Sequence, residues 1–152
     1  MILIVLGGVL LLSFVEVSVG GHRNLSPTDS LADARQRSID TLMSTLKGKE
    51  KSPADSVFSN VRLFDSGHRI RVTHFLAVMD YWGEALGVGC NYCHVKSKWA
   101  SDSLKTKRIA RDMYNLRLVI NGQLTKINDI DPKLAMVNCG TCHRGHSTPP
   151  RD

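Results

Sequence analysis

The pentapeptide CNYCH at residues 90–94 and the pentapeptide CGTCH at residues 139–143 repeat one pattern, Cys-x-x-Cys-His, at two places in the chain. Together they use every cysteine in the sequence, namely Cys90, Cys93, Cys139 and Cys142. This pattern is the attachment signature of haem c. Both cysteines form thioethers with the porphyrin vinyl groups, and the adjacent histidine binds the iron. The sequence therefore predicts two covalently bound haem c groups, with His94 and His143 as iron ligands.

Other uses of paired cysteines fit the pattern less well. A zinc ribbon places its two Cys-x-x-Cys pairs about 15–20 residues apart, whereas about 45 residues separate Cys93 from Cys139. Structural disulfides would leave the two adjacent histidines without a role. A thioredoxin-like motif lies near a βαβ pattern, and the sequence shows none. We therefore interpret both segments as haem attachment sites.

The length and charge of the chain favour one small domain that meets a redox partner. At 152 residues with a net charge of +6, the chain suits a single domain, and two haem groups would supply much of its core. The sequence has no cluster of Lys and Arg interleaved with aromatic residues, so nucleic acid is not an expected partner. A basic surface instead suits docking onto an acidic patch of another protein, which speeds association.

Residues 1–20 are apolar apart from Glu16 and small residues. About 20 such residues can span a bilayer, so we predict an N-terminal membrane anchor. The alternative is a signal peptide cut near Gly21. No Lys or Arg precedes the segment, although both kinds of segment normally have a positive start. Either interpretation places the rest of the chain on the periplasmic side of the membrane.

The fold class predicted from the sequence is mainly α: a small multihaem-type cytochrome c domain behind an N-terminal transmembrane or signal helix. The predicted segments are an anchor or signal segment (1–20), an amphipathic helix with a linker (21–55), a dihaem cytochrome c domain (56–148) and a tail (149–152). The amphipathic helix is expected to begin at Ser26 and Pro27, which are typical N-cap and first-turn residues, and to end at Gly48.

Two further helices are predicted within the dihaem domain, over residues 68–86 and 104–121. In each stretch apolar residues recur at spacings of three and four, which places them on one helix face. These stripes consist of Val72, Phe75, Met79, Trp82 and Leu86 in the first helix, and of Ile109, Met113, Leu116 and Ile120 in the second. Asn121 and Gly122 are expected to stop the second helix. Residues 57–64 are expected to form a strand or an extended segment against a haem edge, and residues 123–137 a loop or short strand.

Met79 and Met113 are the candidate ligands on the opposite face of each iron. A haem iron in an electron carrier commonly has methionine or histidine as its other axial ligand. Each of these methionines lies in the middle of a helix's apolar stripe. Met136 is too close in sequence to Cys139 to reach the opposite face of its haem, and Met43 belongs to the N-terminal amphipathic helix, where we expect it to pack.

Histidines outside the motifs are alternative ligands, namely His22, His68, His74 and His146. His68 lies three helical turns from Met79, and His74 lies off the face that carries Met79. We expect each of the four histidines to lie at the surface or to support a ligand instead of binding iron. If His22, His68 or His74 replaced a methionine, the reduction potential would fall, because methionine ligation raises it. Arg144 is a candidate partner for a haem propionate, and Trp82 and Tyr92 are expected to pack on haem edges.

The stretch from residue 57 to residue 145 resembles the cytochrome c subunit family of photosynthetic reaction centres. The matching elements are VFSNV (57–61), Phe75, Met79, LGVGCNYCH (86–94), KRIARDM (107–113) and CGTCHRG (139–145). In that family the helix methionine before each motif is the usual second iron ligand. The resemblance thus implies Met79 for the first haem and Met113 for the second. The well-known members carry four haems, so this chain resembles one half of such a subunit.

Together these features predict an electron carrier and not an enzyme. It would pass single electrons from a soluble carrier or a quinol-oxidising complex to a membrane redox complex. The resemblance implies a photosynthetic reaction centre as that complex, and a respiratory complex is the alternative. The same motifs would also serve a subunit of an extracellular haem polymer, in which His22 ligates a neighbour's iron, or a dihaem peroxidase, which needs one open iron site.

Overall fold

The computed structural model of the chain describes residues 27–64, 69–131, 133 and 135–151. These residues form helices, turns and two isolated β-bridges, and none of them belongs to a strand. The elements are α1 (Pro27–Thr45), α2 (Ala54–Val57), α3 (Val72–Leu86), a 3₁₀ turn (Cys90–Tyr92), α4 (Lys105–Leu124) and α5 (Cys139–His143). The prediction of a mainly α-helical domain is therefore confirmed.

The buried core is small and lies around α3, against which α1, α2 and α5 pack. Its apolar side chains are Ala54, Val72, Leu76 and Ala85. The helix predicted over residues 68–86 is present, but it begins at Val72. Arg71 is the reason, because its backbone is extended (φ −72°, ψ 153°) and pairs with Pro53 in an isolated β-bridge.

A buried arginine joins α1 to α3. Arg35 is only 6% exposed, and its Nε donates a hydrogen bond to Asp80 Oδ1 at 2.8 Å. The side chain crosses α3 at Gly83, where a Cβ would clash with Arg35 Cδ and lie 3.1 Å from the carbonyl oxygen of Val88. The predicted amphipathic helix therefore packs on the domain, and it ends at Thr45.

Helix α4 continues past the stop predicted at Asn121 and Gly122, so that prediction is wrong; the helix ends at Leu124. The amide side chain of Asn121 is engaged elsewhere. Its Nδ2 donates to the carbonyl of Val137 at 3.0 Å, and its Oδ1 accepts from the Val137 backbone N–H at 2.8 Å. Asn121, which would otherwise favour a helix end, thus makes a tertiary contact with Val137. This contact holds the loop before α5 against α4.

Residues 57–64 were predicted to form a strand or an extended segment, and they do not form a strand. Val57 ends α2, Phe58 has extended backbone, and Asn60 and Phe64 have positive φ values of 65° and 73°. Phe64 places its ring 6.3 Å from that of Phe75 and 5.4 Å from that of Tyr114. This irregular segment therefore packs aromatic side chains between α3 and α4.

No helix in the described part of the chain is long and apolar enough to cross a bilayer. Residues 1–20, predicted to be an anchor or signal segment, lie outside the described residues. Ser26, His22 and His68 lie outside them as well.

Candidate haem-binding site

The fold brings both Cys-x-x-Cys-His segments to the C-terminal half of α3. The first segment follows this helix directly as the 3₁₀ turn. The second segment is α5, which packs on α3. Gly145, just after α5, donates its backbone N–H to the carbonyl of Ala85 at 2.9 Å, and Gly140 donates to the Tyr81 hydroxyl at 3.4 Å. Two motifs that are distant in sequence are therefore held at one end of one helix.

Local sequence gives α5 its shape. Asn138 caps the helix: its Oδ1 accepts a hydrogen bond from the Thr141 backbone N–H at 3.0 Å, and its own N–H donates to Thr141 Oγ1 at 3.1 Å. This reciprocal capping box satisfies two backbone donors at the start of the helix. It fixes the single turn that carries Cys139 and Cys142, which lie on the same side because residues three apart share a helix face.

Both motif histidines use ring atom Nδ1 to contact a backbone carbonyl. His94 Nδ1 lies 3.2 Å from the carbonyl oxygen of Trp99, and His143 Nδ1 lies 2.9 Å from that of His146. A carbonyl only accepts, so Nδ1 carries a proton, and in the neutral ring Nε2 then keeps the lone pair. Histidines that bind metals have this arrangement, in which the other nitrogen donates to a carbonyl or carboxylate.

Burial favours the neutral form of the first of these histidines. Burial lowers the pKa of His94, and the positive charges of Lys107 and Arg111 act in the same direction. His143 is itself buried, with 8% of its surface exposed. A neutral imidazole with Nε2 available is the form that binds iron.

A cavity of about 690 Å³ has residues of both motifs on its wall, a volume within the range of roughly 300–1,000 Å³ that is typical of cofactor pockets. The predicted site residues that line it are Met79, Cys90, Cys93, His94, Met113, Cys139 and His143. Cys142 is exposed and is the predicted attachment residue outside this lining. The apolar side chains Phe75, Trp82, Leu86 and Tyr92 complete much of the wall. One cavity therefore brings together seven of the eight predicted haem-binding residues.

The candidate methionines reach this cavity from different helices. Met79 is half-buried on α3, and Met113 is 42% exposed on α4. Their assignment to one motif each remains a prediction, because both line the same cavity. Met136 is 64% exposed and Met43 lies on α1. Neither lines the cavity.

The predicted apolar stripe of α4 lies half-exposed. Ile109 is 51% exposed, Leu116 48% and Ile120 37%. The helix contacts the rest of the domain through another face, where the Tyr114 ring lies 5.7 Å from that of Trp82. Ile109 and Met113 line the cavity. The N-terminal part of this stripe therefore faces the candidate site and not the protein core.

The spare histidines that the structure describes are both exposed. His74 lies on the outer side of α3, and His146 follows α5. His146 was expected to lie at the surface or to support a ligand, and its backbone carbonyl is the acceptor that orients His143. No side-chain pattern marks such a contact in the sequence.

The start of α4 and the loop before it hold charged residues that the sequence interpretation missed. Lys107, with 8% of its surface exposed, donates from Nζ to the carbonyls of Trp99 and Ser101 at 2.8 and 2.9 Å, and lies 3.3 Å from Asp102 Oδ1. Arg111 Nη1 lies 2.9 Å from the same carboxylate oxygen, and its hydrogen bond holds the pKa of Asp102 well below the usual range. The sequence spacing could have indicated this ion-pair cluster, because Lys107 and Arg111 share a helix face and closely follow Asp102.

The cysteine pairs remain separate from each other in the structure. No disulfide joins any two of the four cysteines, all of which are described. Among the described residues, no three side chains of His, Cys, Asp or Glu converge so that they could hold a metal ion. The two pairs are thus not assembled into one four-ligand cluster.

A family model described as "Photosynthetic reaction centre cytochrome C subunit" matches residues 19–151. The chain therefore belongs to this family of c-type cytochromes. Membership implies covalently bound haem c. The site fits that group, because it offers thiols at attachment spacing, histidines with Nε2 available and an apolar wall.

Two curated proteins illustrate the relationship. The photosynthetic reaction center cytochrome c subunit of Thermochromatium tepidum is 34% identical over 98 residues, which are 63% of this chain and 22% of that protein. Cytochrome c-554 of Chloroflexus aurantiacus is 38% identical over 66 residues, which are 43% of this chain and 16% of that protein. The chain thus spans less than a quarter of the length of either relative. No solved structure matches it significantly.

Proposed function

We propose that the chain is a dihaem electron-transfer cytochrome, with one haem c at each Cys-x-x-Cys-His segment. The observation that carries the proposal is the matched pair of Nδ1 hydrogen bonds at His94 and His143. Each bond orients an imidazole whose Nε2 is suited to bind iron. A zinc ribbon or a disulfide framework would need no such matched pair of histidines.

In this proposal the thioether sulfurs come from Cys90 and Cys93 at one site and from Cys139 and Cys142 at the other. Met79 serves as the second axial ligand of the first site and Met113 of the second. Their position on the wall of the same cavity as His94 and His143 supports this assignment. Bound haem c supplies one-electron iron chemistry, and methionine ligation raises its reduction potential.

The protein's own contribution is to hold these ligands and to keep water away from them. Phe75, Trp82 and Leu86 present apolar surface to the cavity from one face of α3. Trp82 is fixed in turn by its ring contact with Tyr114 of α4. A rigid, apolar wall of this kind suits one-electron transfer, which needs no group to move a proton.

We further propose that the chain works at the periplasmic face of the membrane, anchored by residues 1–20. It would accept electrons from a soluble carrier or a quinol-oxidising complex and donate them to a photosynthetic reaction centre. The family relationship and the name of the Thermochromatium tepidum protein support this partner. The net charge of +6 suits an acidic docking surface. A respiratory complex is the alternative acceptor.

Purification of the tagged full chain from native membranes tests the partner. We expect reaction-centre subunits to co-purify, and we expect the reduced protein to re-reduce photo-oxidised reaction centres in a salt-dependent reaction, because salt screens surface charge. Recovery of a respiratory complex, together with electron transfer to it, would replace the proposed acceptor. A protein that reduces neither complex would contradict the electron-donor role.

A direct assay separates this proposal from a dihaem peroxidase. We expect no peroxide-dependent oxidation of an electron donor at enzyme-like rates, because both irons have a methionine candidate on the cavity wall. Turnover at such rates by the wild-type holoprotein would show an open iron site and would contradict methionine ligation at one haem.

A further inference from the structure

The backbone carbonyl of Trp99 accepts two hydrogen bonds that link the first site to a buried cation. His94 Nδ1 lies 3.2 Å from this oxygen, and Lys107 Nζ lies 2.8 Å from it. The side chain of Lys107 is only 10% exposed. Its ammonium group is therefore one shared acceptor atom away from the proposed iron ligand.

This shared acceptor affects how strongly His94 donates electrons. A ligating histidine becomes more basic when its Nδ1–H is given to a good acceptor. An oxygen that already accepts from an ammonium group has less electron density for a second donor. The imidazole then donates less to iron, and weaker donation disfavours the oxidised iron, which carries the greater charge.

The charge of Lys107 acts in the same direction. A positive charge held away from water repels additional positive charge nearby more strongly than an exposed one does. Asp102 offsets part of this effect, since its carboxylate lies 3.3 Å from Lys107 and 2.9 Å from Arg111. The offset is incomplete, because this one carboxylate faces two cations, Lys107 and Arg111.

We propose that Lys107 is a positioning residue that raises the reduction potential of the haem held by His94, acting through the carbonyl of Trp99. The inference rests on the proposed function, since it requires iron at His94. Reduction there adds one electron, taken from the donor protein, and converts Fe(III) to Fe(II) without moving a proton or breaking a bond. His143 uses the carbonyl of His146 instead, so the effect concerns one of the two sites.

Potentiometric titration of the holoprotein tests this, with the visible spectrum and haem content recorded for every variant. Lys107→Met keeps the length of the side chain and removes its charge. We expect it to lower one of the two midpoint potentials by about 59 mV, which corresponds to a tenfold change in the equilibrium constant for one-electron reduction. Lys105→Gln is the matched control, because this lysine is exposed on the same helix. It should leave both potentials unchanged.

Asp102→Asn provides a test of opposite sign. Removing the carboxylate leaves the buried ammonium uncompensated, so we expect the same midpoint potential to rise. A purely structural role for the Lys107–Asp102 pair would move both variants in one direction. Opposite shifts, with the methionine-to-iron charge-transfer band retained, therefore support the proposal.

Three results would overturn it: unchanged potentials in Lys107→Met, a shift equal to that of Lys105→Gln, or a fall or no change in Asp102→Asn. If Lys107→Met fails to bind haem, Asp102→Asn decides alone, since a rise supports the inference and a fall or no change contradicts it. A wild-type protein without haem at His94 would overturn the proposed function as well. Normal haem content with unshifted potentials would overturn only this inference.

Discussion

Gly87 lies directly against the backbone of Gly145 where α3 ends. Gly87 has a left-handed backbone (φ 64°), and a Cβ at this position would clash with the carbonyl oxygen of Gly145 and lie 2.9 Å from its carbonyl carbon. Gly145 in turn donates its N–H to Ala85. Since Cys90 closely follows Gly87 and His143 closely precedes Gly145, this contact sets the relative position of the two motifs.

Replacement of Gly87 by alanine should destabilise the protein and disturb the second motif. The left-handed conformation alone costs a non-glycine residue about 1–2 kcal/mol, and relief of the clash requires the Gly145 backbone to move. We expect a lower unfolding midpoint in thermal melts and a reduced amount of haem bound at residues 139–143.

Gly122→Ala is the matched control for that substitution. Gly122 lies within α4, and a Cβ there would meet no atom within 4 Å. Alanine is favoured over glycine in a helix by up to about 1 kcal/mol, so this variant should be as stable as the wild type or more stable. Equal behaviour of the two variants would show that the Gly87–Gly145 contact is unimportant.

Met79→Ala and Met113→Ala should each remove one methionine from iron. We expect the methionine-to-iron charge-transfer band of the oxidised protein to fall in each single variant and to vanish in the double variant. Reduction potentials should also fall, because methionine ligation raises them. Met136→Ala, at a residue that is 64% exposed, should leave the spectrum unchanged. Spectra of bis-histidine ligation in the wild type would contradict this prediction.

The Arg35–Asp80 ion pair should contribute measurably to the docking of α1. Arg35→Met leaves Asp80 without its partner, but water can reach that carboxylate, because its side chain is 36% exposed. We therefore expect a loss of about 1–3 kcal/mol in the free energy of unfolding, less than the value for a fully buried pair. The measurement is a denaturant titration.

Arg37→Met is the corresponding control, because Arg37 is exposed on the same helix. It should change the free energy of unfolding by less than about 0.5 kcal/mol. A double-mutant cycle with Asp80→Asn isolates the pair itself. A coupling energy of zero would mean that Arg35 acts through its packing over Gly83 and its contact with the Val88 carbonyl, and not through Asp80.

Acid should weaken the contribution of Asp102 to stability. The hydrogen bond from Arg111 is the main reason that the pKa of this carboxyl is lowered in the folded protein. A lowered pKa means that ionised Asp102 stabilises the folded state at neutral pH. That stabilisation is complete above the ordinary value of 3.8 and is lost as the pH falls below it.

We therefore expect the difference in stability between wild type and Asp102→Asn to shrink as the pH is lowered below 3.8, measured by denaturant titrations at a series of pH values. Asp112→Asn, at an exposed position on α4, serves as the comparison and should show a smaller change. A difference that stays constant with pH would mean that Lys107 and Arg111 do not stabilise the Asp102 carboxylate.

The candidate attachment residues can be proposed from the sequence because their chemistry is local. Cys90, Cys93 and His94 are close neighbours in the chain, so the spacing alone carries the signal. Met79 and Met113 were predicted as candidate ligands through helical periodicity, and the structure brings both to the cavity wall. Periodicity identifies a helix face well, but it cannot tell whether that face meets protein or a cofactor.

The contacts missed by the sequence interpretation depend on the backbone or on distant residues. The carbonyl of Trp99, shared by His94 and Lys107, has no side-chain signature. The approach of Gly87 to Gly145 joins residues far apart in the chain. Asn121 and the glycine that follows it form a pair that is typical of a helix end. The contact of Asn121 with Val137 outweighs that local preference.

Mass spectrometry of the purified holoprotein tests the central claim most directly. The account predicts an intact mass that exceeds the polypeptide mass by two haems. After digestion, one haem should remain on the peptide with Cys90 and Cys93, and one on the peptide with Cys139 and Cys142. A haem on one peptide only, or unmodified cysteines on both in a protein matured with haem available, would contradict a dihaem cytochrome.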